Sequence, residues 1–175
     1  MSAEQFAALA GAGPVLDLGC GHGRDLAWFE QKGIAVVGAD LSAGMLAQAQ
    51  GRTVSPLIQL DMRRTAFQSA AFWGVWSDAA IVHLPKDDLP ALLLEISRVL
   101  TPGGVFFAAV QVGEGEAWET WECYPFTRRF FARYSCAEFA AILKHAGFLV
   151  QSQSDRRISP RRHWAHYLAL RDAGS

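Results

Sequence analysis

The sequence predicts an α/β fold built on a mostly parallel sheet, and three observations carry that expectation. Short apolar runs that stop at turn residues alternate with amphipathic, helix-type segments through the first two thirds of the chain. The stretch VLDLGCGHGRDLAWFEQKGIAVVGADLS, residues 15–42, runs strand, glycine turn, helix, strand, acid. Of 175 residues, 51% are hydrophobic and 19% charged, which suits one well-cored domain over 1–175 rather than a disordered chain.

Taken in order, residues 15–18 form the first strand and empty into Gly19, Gly21 and Gly23. An amphipathic helix follows, and the apolar run 34–39 is a second strand that stops at Asp40. Residues 57–60 form a third strand ending at Asp61, and 72–76 a fourth. From about Lys86 to Leu100, Leu89, Leu92, Leu93, Ile96, Val99 and Leu100 share one broad stripe, the pattern of a core-facing helix. Pro90 fits there because it falls near the first turn. Thr101-Pro102-Gly103-Gly104 breaks that helix and turns into a fifth strand, 105–112.

Residues 113–134 hold two glycines, several glutamates and the aromatics Trp118, Trp121, Tyr124, Phe126, Phe130, Phe131 and Tyr134. They suggest a loop or lid rather than regular sheet. Ser135 and Glu138 make a capping box that opens a helix through Lys144, with Gly147 as its stop. Residues 148–152 and 164–170 are the last two strands, joined by a basic connection over 155–162 that contains Pro160.

Sixteen basic against seventeen acidic side chains leave a formal charge of -1, so the global footprint of a nucleic-acid binder is absent. The three cysteines, Cys20, Cys123 and Cys136, form no C-x-x-C pair, which indicates neither a zinc site nor a disulfide framework. The first residues carry Glu4 and lack the basic start and long apolar core of a signal peptide, so a cytoplasmic location is expected. Runs such as 105–110 are too short to span a bilayer.

Glycines at a strand-to-helix turn let a ligand approach the backbone where a Cβ would collide, and the helix start offers amides to oxygen ligands. The dinucleotide fingerprint G-x-G-x-x-G fails in both registers, since its third glycine would fall on Arg24 or on Leu26. What stands instead is D-x-G-x-G-x-G, with Asp17 two residues before Gly19.

This pattern resembles the first motif of the class I S-adenosylmethionine-dependent methyltransferases. The resemblance continues through VVGADLSAGMLAQA, LIQLDMRR, FWGVWSDAAIVHLP and LLLEISRVLTPGGVFFAAV as the second to fifth motifs. FARYSCAEFAAILKHAGFLV is similar to the C-terminal segment of the small-molecule branch. The resemblance implies a three-layer Rossmann-like fold whose seven-stranded sheet has its last strand antiparallel. It also implies S-adenosylmethionine as cofactor, S-adenosylhomocysteine as product and a small-molecule methyl acceptor.

By the same resemblance, Asp40 accepts from the ribose hydroxyls; its other role would be an acidic cap, which Ser42 already fills. Asp61 and Met62 lie beside the adenine amino group, and Leu41 and Met45 pack on the adenine faces, with Met45 as plain core the alternative. Asp17 and the Gly19 carbonyl face the methionine ammonium, Gly21 lets the ligand approach, and Cys20 fills a position that needs a small side chain.

In an open α/β sheet the ligand lies beyond the carboxyl ends of the strands, at the switch point. That puts Trp76, Ser77, Asp78, Ile81 and His83 near the donor methyl. His83 is the sole general-base candidate in that segment, against a role in tying down its turn. Trp118 and Trp121 are candidates to cover the acceptor, and no histidine spacing suggests a metal. The arginines of 156–162 read as a solvated hairpin tip, with an anionic acceptor or RNA as the alternative.

Two departures from the family pattern bear on the acceptor. About a dozen residues precede the first strand, so the acceptor site is expected to be open or completed by another chain, which allows a homodimer. Trp73 stands where the family commonly has an acid. Three rival readings stay open: a non-catalytic cofactor-binding protein, an RNA or protein methyltransferase, and a nicotinamide oxidoreductase. The balanced charge and the missing N/D-P-P-Y motif argue against the second, and the glycine register against the third.

Overall fold

The computed structural model describes residues 3–121, 124–159 and 162–174, without the side chains of 121 and 124–126. Five helices, α1 (Ala3–Ala10), α2 (Arg24–Gln31), α3 (Ala43–Ala49), α4 (Leu89–Val99) and α5 (Cys136–His145), alternate with strands. The strands are β1 (Val15–Leu18), β2 (Val36–Asp40), β3 (Leu57–Gln59), β4 (Phe72–Asp78) and β5 (Leu100–Val112), followed by β6 (Glu116–Trp121), β7 (Tyr124–Tyr134), β8 (Phe148–Ser159) and β9 (Arg162–Arg171).

The sheet has nine strands: seven run β3-β2-β1-β4-β5-β9-β8, and β7, which pairs with β6, joins the end of β5 in parallel. Strands β1 to β5 pair in parallel, and β9 is antiparallel to β5, from Val105↔Leu170 to Gln111↔Trp164. This is the expected sheet with its last strand reversed. Alternation along β5 divides the core. Phe106, Ala108 and Val110 face α4 and α5. Val105, Phe107 and Ala109 face a cluster with α1, α2 and α3. Helices on both faces make three layers. No helix among the described residues is long and apolar enough to cross a membrane.

Three expectations need correction. The aromatic segment 113–134 is not a loop: β6 and β7 form an antiparallel hairpin, Glu116↔Ala132 to Thr120↔Arg128. Its β-branched and aromatic residues suit a pleated surface once a partner strand is supplied. The Thr101–Gly104 break is absorbed as an irregularity inside β5, where pairing jumps from Leu100 to Val105 and Gly103 takes φ +74°. The β8–β9 ladder continues past Ser152 to Ser159↔Arg162, so most of the basic connection is strand. Pro160 and Arg161 lie outside the described residues, as does Cys123.

The start of the chain is used structurally. Phe6 and Ala10 of α1 are fully buried, and Phe6 meets Phe29 and Trp76 edge to face. Trp73 is half exposed and lies across the backbone of Gly13, where a Cβ would stand 2.1 Å from its Cγ.

Candidate functional site

The glycine turn sits where β1 ends beside β2 and β4. Gly19 takes φ +83° and Gly21 φ +54°, conformations that side chains rarely adopt. A Cβ on Gly19 would stand 2.1 Å from that of Ala80. Gly19 is therefore demanded by the close approach of the β4 tip, not only by a ligand. Ala79, just past β4, has φ +59°, a strained backbone at the mouth of the site.

Asp40 ends β2 and ties the turn in place. One carboxylate oxygen accepts from the Gly21 amide at 2.9 Å and the other from the Ser42 amide at 2.8 Å. The Ser42 hydroxyl accepts from the Met45 amide and so caps α3. Asp40 is thus an organiser of the turn as well as a ribose candidate.

A single cavity of about 660 Å³ opens here. Gly19, Gly21, Asp40, Leu41, Met45, Asp61 and Met62 line it, seven of the expected cofactor residues. Leu41 is 64% exposed, a ledge open to a planar ligand. Asp61 is engaged by Arg63, whose guanidinium also reaches Asp88 at 3.0 Å. The Arg63 contacts hold the Asp61 carboxyl below the usual carboxylate range.

Asp17 does not line the cavity; it is 2% exposed and one of its oxygens, Oδ2, has no hydrogen-bond partner. Burial pushes its pKa well above the ordinary value, and the charges of Asp25 and Asp78 push it further. Arg24 bridges those two carboxylates, at 2.7 Å to Asp25 and 2.5 Å to Asp78. Three carboxylates against one guanidinium leave this corner short of positive charge. An orphaned buried oxygen in such a corner fits a cationic group, as the methionine ammonium of S-adenosylmethionine would be.

Four expected residues, Cys20 among them in the small buried place expected of it, do not line the cavity. Cys20 is buried, and its sulfur lies 3.1 Å from where a Cβ on Gly38 would stand, on the core side of the turn. Burial pushes its thiol pKa up to about 12. Ser77 is fully buried and its hydroxyl donates to the Leu18 carbonyl at 2.9 Å, tying β4 to β1. Trp76 is stacked on Phe107 at 3.7 Å and donates to Asp25, away from the acceptor region. Ile81 is fully buried in the core on the α4 face.

His83 and Trp118 do line the cavity, together with Leu84, Phe130, Arg63, Arg128 and Arg129. Nδ1 of His83 lies 2.8 Å from the Phe130 carbonyl. A carbonyl only accepts, so Nδ1 carries the proton and donates, leaving Nε2 of the neutral ring as an acceptor. Desolvation by the surrounding walls lowers the His83 pKa, and the charge of Arg129 lowers it further, against the raising effect of the Phe130 bond. Trp121 lies outside the described side chains.

The hairpin residues Arg128, Arg129 and Phe130 were missed because 113–134 carries no periodicity that a lone strand pair would reveal. Arg63 was legible only as part of LIQLDMRR. The Arg24–Asp25–Asp78 cluster had no sequence signal, since it joins positions 54 residues apart.

Comparison with known proteins agrees with this geometry. A family model described as a methyltransferase domain matches residues 15–104. A malonyl-[acyl-carrier protein] O-methyltransferase of Enterobacter lignolyticus is 33% identical over 125 residues, covering 68% of this chain and 49% of that protein. The chain thus spans about half the length of the curated relatives of this kind that it matches. Among solved structures, a SAM-dependent methyltransferase from Methanosarcina mazei aligns with a TM-score of 0.83 at 16% identity, over 98% of each chain. The Burkholderia thailandensis 1,6-didemethyltoxoflavin-N1-methyltransferase, solved with bound 1,6-didemethyltoxoflavin and S-adenosylhomocysteine, aligns with a TM-score of 0.77 at 24% identity. That alignment covers 97% of this chain and 76% of the other. A domain model covering half of the chain, on a sheet of this order, leaves one assignment: the chain belongs to the class I S-adenosylmethionine-dependent methyltransferase family.

Proposed function

We propose that this single-domain chain transfers a methyl group from S-adenosylmethionine to a small-molecule acceptor. The observation that carries the reading is one cavity lined both by Gly19, Gly21, Asp40 and Asp61 and by His83, Trp118 and Phe130. A donor and an acceptor can meet there without leaving the protein.

The bound donor supplies a methyl group on a sulfonium, already a strong electrophile. What remains for the protein is alignment, which contributes roughly 7–11 kcal/mol in well-oriented cases. Asp40 is suited to grip the ribose with the lone pairs that Gly21 and Ser42 leave open. Leu41 and Met45 are suited to the adenine faces, and Asp61 and Met62 to its edge. The orphaned Asp17 oxygen suits the ammonium. Nε2 of His83 can take a proton from an acceptor that must lose one, and an acceptor already deprotonated needs no such help.

A cytoplasmic location and a small acceptor, rather than nucleic acid, belong to the same reading; the charge of -1 and the unpaired cysteine spacing support them. A second copy completing the site would appear as a dimer in sedimentation.

The test is direct. Purified protein should bind S-adenosylhomocysteine by calorimetry and consume labelled donor when presented with metabolite extract. Binding without turnover on any extract would favour a cofactor-binding protein that is not an enzyme. No binding of either nucleoside would end the proposal.

A further inference from the structure

We infer that the acceptor is a flat, anionic small molecule, laid against Trp118 with its carboxylate held at Arg128. The inference deepens the methyl-transfer reading of the same cavity and rests on it.

The cavity wall carries both signs of charge. Asp40, ending β2, and Asp61, just past β3, line it, the latter already paired with Arg63. From the hairpin come Arg128 and Arg129, and the hairpin residues that line the cavity include no carboxylate. A chain with a net charge of -1 does not produce such a patch by default.

Trp118 is 60% exposed, although it belongs to a paired strand and forms part of the cavity wall. Phe130 meets it edge on, with ring centroids 5.7 Å apart. The Arg128 guanidinium lies over the Trp118 ring, 5.8 Å from its centroid. The surface of Trp118 that stays exposed, together with a planar, five-donor cation held at its ring, matches an aromatic carboxylate, the indole taking the ring and the fork taking both oxygens.

The third group on this wall, His83, adds no charge. Its Nδ1 is spent on the Phe130 carbonyl, which also fastens the turn after β4 to the hairpin that carries the arginine. The Arg128 guanidinium would disfavour a charged ammonium group on the acceptor, so the same wall selects for anions.

Salicylate and its uncharged amide, salicylamide, are the probes, titrated by calorimetry into protein saturated with S-adenosylhomocysteine. Salicylate should bind about tenfold more tightly than salicylamide, and added salt should narrow the gap. Arg128→Gln should weaken salicylate about fivefold or more while leaving salicylamide and S-adenosylhomocysteine unchanged. Trp118→Ala should weaken both probes and leave the nucleoside unchanged. Equal affinity for the two probes, an Arg128→Gln variant that binds salicylate as the parent does, or a preference for a single-stranded oligonucleotide over salicylate would each overturn the inference. Should S-adenosylhomocysteine itself not bind, the methyl-transfer reading fails, and the two probes on the nucleoside-free protein still test the anion site by itself.

Discussion

The carboxylate of Asp40 accepts the amide of Gly21 at 2.9 Å, so the acid that ends one strand is fastened to the glycine turn that ends its neighbour. The two features that would grip the donor are one unit, and a change in either is felt by the other.

Asp40→Ala should therefore cost more than a ribose contact. Each hydrogen bond to a charged group contributes about 1.5–3 kcal/mol, so S-adenosylhomocysteine should bind about tenfold to hundredfold more weakly. A modest fall in melting temperature should accompany it, as the Gly21 and Ser42 amides lose their acceptor. Unchanged affinity in a folded variant would remove Asp40 from the site.

Asp17 should show opposite effects on folding and binding. Its carboxyl has a pKa raised well above 3.8, so above that pH the folded state resists an ionisation that the unfolded chain makes freely. Stability contributed by this group is lost as pH rises, and Asp17→Asn should raise the melting temperature near neutrality. Donor affinity should move the other way: it tightens with rising pH in the parent, as the ionised carboxylate pairs with the ammonium, and stays weak and flat in the variant. Calorimetry across pH reads both.

Ser77 gives a purely structural prediction. Removing its hydroxyl leaves the Leu18 carbonyl without that donor in a fully buried place. Ser77→Ala should lower stability by about 1–3 kcal/mol in denaturant titration. The affinity for S-adenosylhomocysteine per folded molecule should not change, which a direct ligand role would not allow.

His83 and His166 both have pKa values below the usual 6.5, each chiefly through desolvation. A depressed histidine lets the unfolded chain take up protons that the folded chain refuses, so stability is full above 6.5 and falls below it. His83→Gln can still donate to the Phe130 carbonyl, and its melting temperature should fall less steeply as pH drops below that value. Comparing slopes of parent and variant cancels the opposing contribution of Asp17. An identical slope would show that His83 is not held neutral.

The donor half of the site was legible because it is local. Asp17, Gly19, Gly21 and Asp40 lie within one strand–turn–helix–strand unit, where spacing along the chain maps directly onto space. The acceptor half was not, because it depends on which strand the hairpin meets. Trp76 lies in β4, where consecutive residues are buried, and Ile81 in the turn after it, so only the packing of α1 and α4 shows that both point into core. Trp118 was legible as an aromatic without a helical partner, yet its companions Arg128 and Phe130 became visible only through the pairing Trp118↔Phe130.

The β6–β7 hairpin pairs with the main sheet at Gln111↔Arg133 and Val112↔Tyr134, and Phe131, Ala132 and Tyr134 anchor β7 in the core. Trp118 and Arg128 thus ride on a different element from the glycine turn. Changes of side chain at those two positions leave the pairing of β1, β2 and β3 untouched. Under the proposed reading, the wall that meets the acceptor can vary while the grip on the methyl source stays fixed.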